Sequence, residues 1–93
     1  MAIGDCVAQG GAMVIDWQKE GVEAVERLRA MIRFATVNPP GDERELVEWL
    51  AGTLRREGLE PEVIIAEGER ANLALTVKGD GSERPLLLLS HLD

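Results

Sequence analysis

Pro85-Leu86-Leu87-Leu88-Leu89-Ser90-His91-Leu92-Asp93 is the stretch on which the reading of this chain turns. Four consecutive leucines behind a proline, without alternation, predict a short strand buried on both faces, as interior strands are in helix-covered sheets. A hydroxyl, an imidazole and a carboxylate follow directly. In open α/β sheets, ligands gather at the carboxyl ends of strands, which makes His91 and Asp93 the candidate functional residues. Side chains two apart on an extended backbone share a side, so Asp93 can reach the His91 ring. A carboxylate so placed fixes the tautomer of a histidine that binds metal through its other nitrogen. It equally orients a general base. Taken alone, the triplet also fits a solvated chain end with no chemistry.

Working back from that strand, Gly79-Asp80-Gly81-Ser82 is a strong turn signal. Before it, Ala71–Lys78 alternates, with Leu73, Leu75 and Val77 on one face, and Pro61–Ala66 is rich in β-branched residues. Joined by Glu67-Gly68-Glu69-Arg70, these runs predict an antiparallel pair with one face on a core. Further back, Leu46, Trp49, Leu50 and Leu54 form the apolar stripe of a helix, with Trp49 read as core. Asp42 is its expected N-cap, Glu45 the capping-box partner and Gly58 the residue just past its end. An earlier helix is predicted from Val22, Val25, Leu28, Ile32 and Ala35, capped by Asp16 and stopped before Asn38-Pro39-Pro40-Gly41. Glu23 and Arg27, four apart, are placed to support it. Met1–Val14 has no usable period and reads as a loose tail over 1–15, with Met13 a candidate true start and Cys6 an incidental thiol. The order is helix, helix, strand, strand, strand over 16–93.

With 93 residues the chain makes at most one domain, and a domain this size buries only roughly two-thirds of its unfolded surface. Trp17, Phe34 and Trp49 are the only aromatics, so the core must be aliphatic. A net charge of -7 argues against nucleic acid and against an anionic membrane surface as partners, because both call for clustered Lys and Arg. One cysteine permits no intrachain disulfide, and no apolar run approaches the ~20 residues of a membrane span. The start lacks a basic region and carries Asp5, a poor signal peptide, so a cytoplasmic location is expected.

Four pieces in order give these elements a wider context: Thr36-Val37-Asn38-Pro39-Pro40-Gly41-Asp42-Glu43, Glu57-Gly58-Leu59-Glu60-Pro61-Glu62-Val63, Ala71-Asn72-Leu73, and Leu86–Asp93. Together they resemble the start of the zinc-dependent metallopeptidases that include aminoacylase, acetylornithine deacetylase, succinyl-diaminopimelate desuccinylase and glutamate carboxypeptidase. The resemblance runs from about Asp16 to Asp93. It implies an α/β fold, the first part of a zinc-exopeptidase-like three-layer sandwich, here two helices followed by three strands of a mixed sheet. It implies that His91 is a ligand of a two-metal site, zinc with cobalt as the alternative, and that Asp93 is the catalytic residue clamping that imidazole. Asn38 and Asn72 are mainly structural in the family. The implied substrate is an N-acyl amino acid or small peptide whose amide bond is attacked by metal-activated water, and the implied assembly is a homodimer.

The same resemblance places a bridging aspartate, a Glu pair, another acidic ligand and a second histidine beyond Asp93. A catalytic zinc takes three protein ligands, so the 93-residue chain by itself is expected to be inactive. In the family's sheet a later strand lies between the second and third strands of this chain. The leucine strand is then expected to lack both neighbours, leaving the isolated chain poorly folded or self-associated. The rival expectation is a small non-catalytic α/β interaction module whose last strand pairs with a partner's sheet edge.

Overall fold

The computed structural model describes residues 14–93, so the readings of the tail up to Met13, Cys6 included, lie outside the described residues. Helix α1 spans Trp17–Met31 and starts where expected: the Asp16 carboxylate accepts from the Lys19 amide at 3.1 Å. It ends earlier than its apolar period, and Ala35 falls outside it. The Phe34 amide bonds back three residues to the Met31 carbonyl at 3.1 Å, which tightens the chain out of the α geometry. The turn carries Phe34 onto Trp49, with ring centroids 5.7 Å apart at 48°. Arg27 reaches across to Glu57 at 3.5 Å, a half-exposed pair that ties the two helices loosely. No residue of α1 is buried, and Val22, Leu28 and Ile32 are each more than half exposed.

Helix α2 spans Arg44–Arg56. Its N-cap is Glu43, not Asp42, and no side chain caps it, so the expected capping box does not form. The reason lies in tertiary structure: the Glu43 carboxylate is turned to Arg70, while the Arg44 amide donates to the Glu69 carbonyl at 2.9 Å. At the other end Gly58 takes φ +83. Its amide bonds to Arg55 O at 3.0 Å, and that of Leu59 to Leu54 O at 3.1 Å, the two bonds of a Schellman ending.

Strands β1 (Glu62–Glu67) and β2 (Arg70–Ala74) form one antiparallel pair, with Val63 opposite Leu73 and Ile65 opposite Ala71. The register slips between Ile65 and Glu67, which leaves Ala66 as a bulged residue. Helix α2 packs on one face of this pair. The apolar core between them is small: Leu46, Val47 and Ala51 from the helix and Ala71 from β2. Regular pairing stops at Ala74, short of the expected Lys78. Leu86–Leu89, expected as a third strand, belongs to neither strand of the sheet, and its four side chains are 82–90 % exposed. Among the described residues the architecture is therefore mixed α/β, two helices with a two-stranded antiparallel sheet. No helix among them is long and apolar enough to cross a membrane.

Candidate functional site

The end of the leucine segment returns to the body of the fold through Asp93. One carboxylate oxygen, Oδ1, lies 3.1 Å from His91 Nδ1, and the other, Oδ2, accepts from Asn38 Nδ2 at 3.1 Å. Arg70 Nη2 stands 3.8 Å from Oδ2. Asn38 is presented by the Asn38-Pro39-Pro40-Gly41 turn, in which the peptide bonds preceding both prolines are cis. Arg70 opens β2 and is held by Glu43 in a two-point contact, Nη2 to Oε1 at 2.9 Å and Nε to Oε2 at 3.3 Å. Three side chains, His91, Asn38 and Arg70, thus meet the Asp93 carboxylate, with Glu43 behind Arg70.

Burial divides the site in two. The Glu43 side chain is 7 % exposed and that of Asp93 19 %, whereas the His91 ring is 93 % exposed. Charge-assisted bonds to a shielded carboxylate are the stronger kind, so the Glu43–Arg70 fork is the fixed part and the imidazole the accessible part. The His91 hydrogen bond first, and the Asn38 bond second, hold the Asp93 carboxyl below the usual carboxylate range. A carboxylate only accepts, so His91 Nδ1 is the donor, and in the neutral ring that leaves the lone pair on Nε2. A cleft of about 620 Å³ opens here, lined by Asn38, Glu43, Arg70, Ser90, His91 and Asp93 among others. The Ala66 bulge and Asn72 border it.

His91 and Asp93, singled out from the sequence, are thus within hydrogen-bond reach of each other. Asn38, Arg70 and Glu43 were not singled out as functional. Asn38 read as a turn residue and Arg70 as part of a loop, and nothing in a single sequence links positions 27 or 55 residues apart. Among the described residues no three His, Cys, Asp or Glu side chains converge as a metal would need. His91 offers one ligand nitrogen and Asp93 its orienting carboxylate, and these do not by themselves fit a catalytic zinc. No family model, curated protein or solved structure matches the chain.

Proposed function

We propose that this chain is the amino-terminal part of a cytoplasmic metal-dependent hydrolase that cleaves the amide bond of an N-acyl amino acid or small peptide. The observation that carries the reading is the Asp93 carboxylate on His91 Nδ1 at 3.1 Å, with the rest of the ring open to a cleft. That is the arrangement in which a carboxylate sets a histidine's free Nε2 toward a metal. In this reading His91 is one ligand of a site for two divalent ions, zinc or cobalt. The other ligands are outside residues 14–93, and no chemical step is assigned to the residues present.

Two exposed apolar surfaces support the same reading. Among the described residues, the α1 stripe of Val22, Val25, Leu28 and Ile32 and the run Leu86–Leu89 both stay largely uncovered. Contiguous apolar surface of this kind marks an interface. A larger mixed sheet, with Leu86–Leu89 as an interior strand and α1 packed across it, covers both. The full protein is then a three-layer sandwich of the zinc-exopeptidase type, and a homodimer.

The leucine run also favours the rival, a non-catalytic module that offers this segment to a partner's sheet edge. In the rival His91 is an ordinary surface residue. Metal analysis of the protein expressed from its complete gene, beside its His91→Ala variant, separates the two. The hydrolase reading expects bound zinc or cobalt in the first and a loss of metal in the second. Unchanged metal content after the substitution defeats it.

A further inference from the structure

We infer that Asn38 and Arg70 are positioning residues: with Arg70 anchored on buried Glu43, they lock the Asp93 carboxylate and through it impose the Nδ1–H tautomer on His91. The inference deepens the proposed hydrolase reading and takes its purpose from it, though the geometry stands without a metal. Asp93 is joined to the sheet by a segment that pairs with neither strand. Left to itself, such a carboxylate samples many rotamers, and a single hydrogen bond to a 93 % exposed ring fixes neither group. What the structure adds is a second set of contacts on the opposite oxygen.

Each of those contacts is itself restrained. Asn38 sits in the Pro39-Pro40 turn, where two proline rings limit the backbone, and its amide donates to Oδ2 at 3.1 Å. Arg70 is drawn to the same oxygen at 3.8 Å, and its fork is already engaged by Glu43. Glu43 cannot swing away freely, because it is 5 % exposed and lies beside Gly41. With Oδ2 held from the body of the fold, Oδ1 is left facing His91 Nδ1. The neutral side chain of free histidine prefers its proton on Nε2. A fixed acceptor opposite Nδ1 reverses that preference and leaves Nε2 unprotonated, which is the state a metal or a transferable proton requires.

The test is nitrogen NMR of ¹⁵N-histidine-labelled protein from the complete gene, chelator-treated and kept at a pH where His91 is neutral. The signal of His91 is assigned by its absence in His91→Asn. The wild type is expected to show the Nδ1–H tautomer. In Asn38→Ala the ratio of Nδ1–H to Nε2–H is expected to fall about two- to tenfold, the effect of losing one ordinary hydrogen bond. Asn38→Asp, which replaces the donor by a repelling carboxylate, should lower it further, and Asn38→Ser, which keeps a short donor, should recover part of it. Arg70→Lys, which keeps the charge and loses the fork, is expected to shift the ratio the same way as Asn38→Ala. A purely structural role does not predict that order. The Val63–Leu73 cross-strand contact reports that the fold is intact in each variant. An Nε2–H ring in the wild type, or a ratio indifferent to Asn38→Asp and Arg70→Lys, overturns the inference. Unchanged metal in His91→Ala with the tautomer order as expected would instead remove the hydrolase reading and leave this one standing.

Discussion

Gly41→Ala is the substitution that most directly probes the packing beneath the site. Gly41 has φ +74, and a Cβ placed there would lie 2.9 Å from Glu43 Oε1 and 3.1 Å from Arg70 Cζ. Two costs follow. An alanine in the left-handed region loses about 1–2 kcal/mol. The methyl also has to displace the Glu43 oxygen that accepts from Arg70 at 2.9 Å, and a hydrogen bond to a charged group is worth about 1.5–3 kcal/mol when lost. Arg70 is 46 % exposed, so water recovers part of that, and about 1–2 kcal/mol is a fairer figure. The sum is about 2–4 kcal/mol. Gly58→Ala is the control, because Gly58 has φ +83 with nothing within 4 Å, and should cost only about 1–2 kcal/mol. Hydrogen exchange over the peptide 44–56, in protein from the complete gene, reads both. Exchange is expected to quicken about 30- to 1,000-fold for Gly41→Ala and about 5- to 30-fold for Gly58→Ala, at tenfold per 1.4 kcal/mol. In an Arg70→Ala background the extra penalty at Gly41 should shrink, since the oxygen is then free to move. Equal effects at the two glycines would refute the close packing of Gly41 on the Glu43–Arg70 pair.

Three further outcomes are expected. Val47 is fully buried, so Val47→Ala should cost about 2–3 kcal/mol from lost methyl burial plus the cavity left behind; exchange over 44–56 no faster than wild type would contradict the core assignment. Sedimentation of the isolated 93-residue chain should show concentration-dependent association that Leu87→Lys with Leu89→Lys suppresses, because both leucines are more than 80 % exposed; a wild-type monomer at all concentrations would dismiss the leucine run as an adhesive surface. Asp80 accepts from the Ser82 hydroxyl at 2.6 Å and the Ser82 amide at 2.9 Å, and these bonds hold its carboxyl below the ordinary range. A depressed carboxylate contributes above its unfolded-state pKa of about 3.9 and loses that contribution as pH falls through the lower folded value. The Ser82 amide resonance should therefore titrate with a midpoint below that of unfolded aspartate, and a midpoint at or above it would count against the turn.

The parts of the fold legible in the sequence are those set by neighbours along the chain. Asp16 at an N-cap, Gly58 just past the end of a helix and the antiparallel pairing of the two β-rich runs all follow from local chemistry, and all three are present. Asp42 failed as a cap because Glu43, beside it, answers to a residue 27 positions away. Long-range ion pairs leave no mark on a local pattern. Helix α1 was read as an amphipathic helix, which it is, but the leucine run was read as a strand buried on both faces and instead lies unpaired and exposed, because hydrophobic pattern says only that a surface seeks cover and not which residues supply it. The site divides along the same line. His91 and Asp93 are two apart and announce each other, whereas Asn38 and Arg70 come to Asp93 only through the fold.

The bond from the Arg44 amide to the Glu69 carbonyl has a bearing on how the molecule comes apart. The opening amide of α2 donates to the bend linking β1 to β2, so the start of the helix and the turn of the ribbon hold each other in place. A protease that nicks the backbone between Glu67 and Arg70 should therefore unravel the start of the helix as well as the ribbon, in one concerted loss, even though the cut lies far from it along the chain.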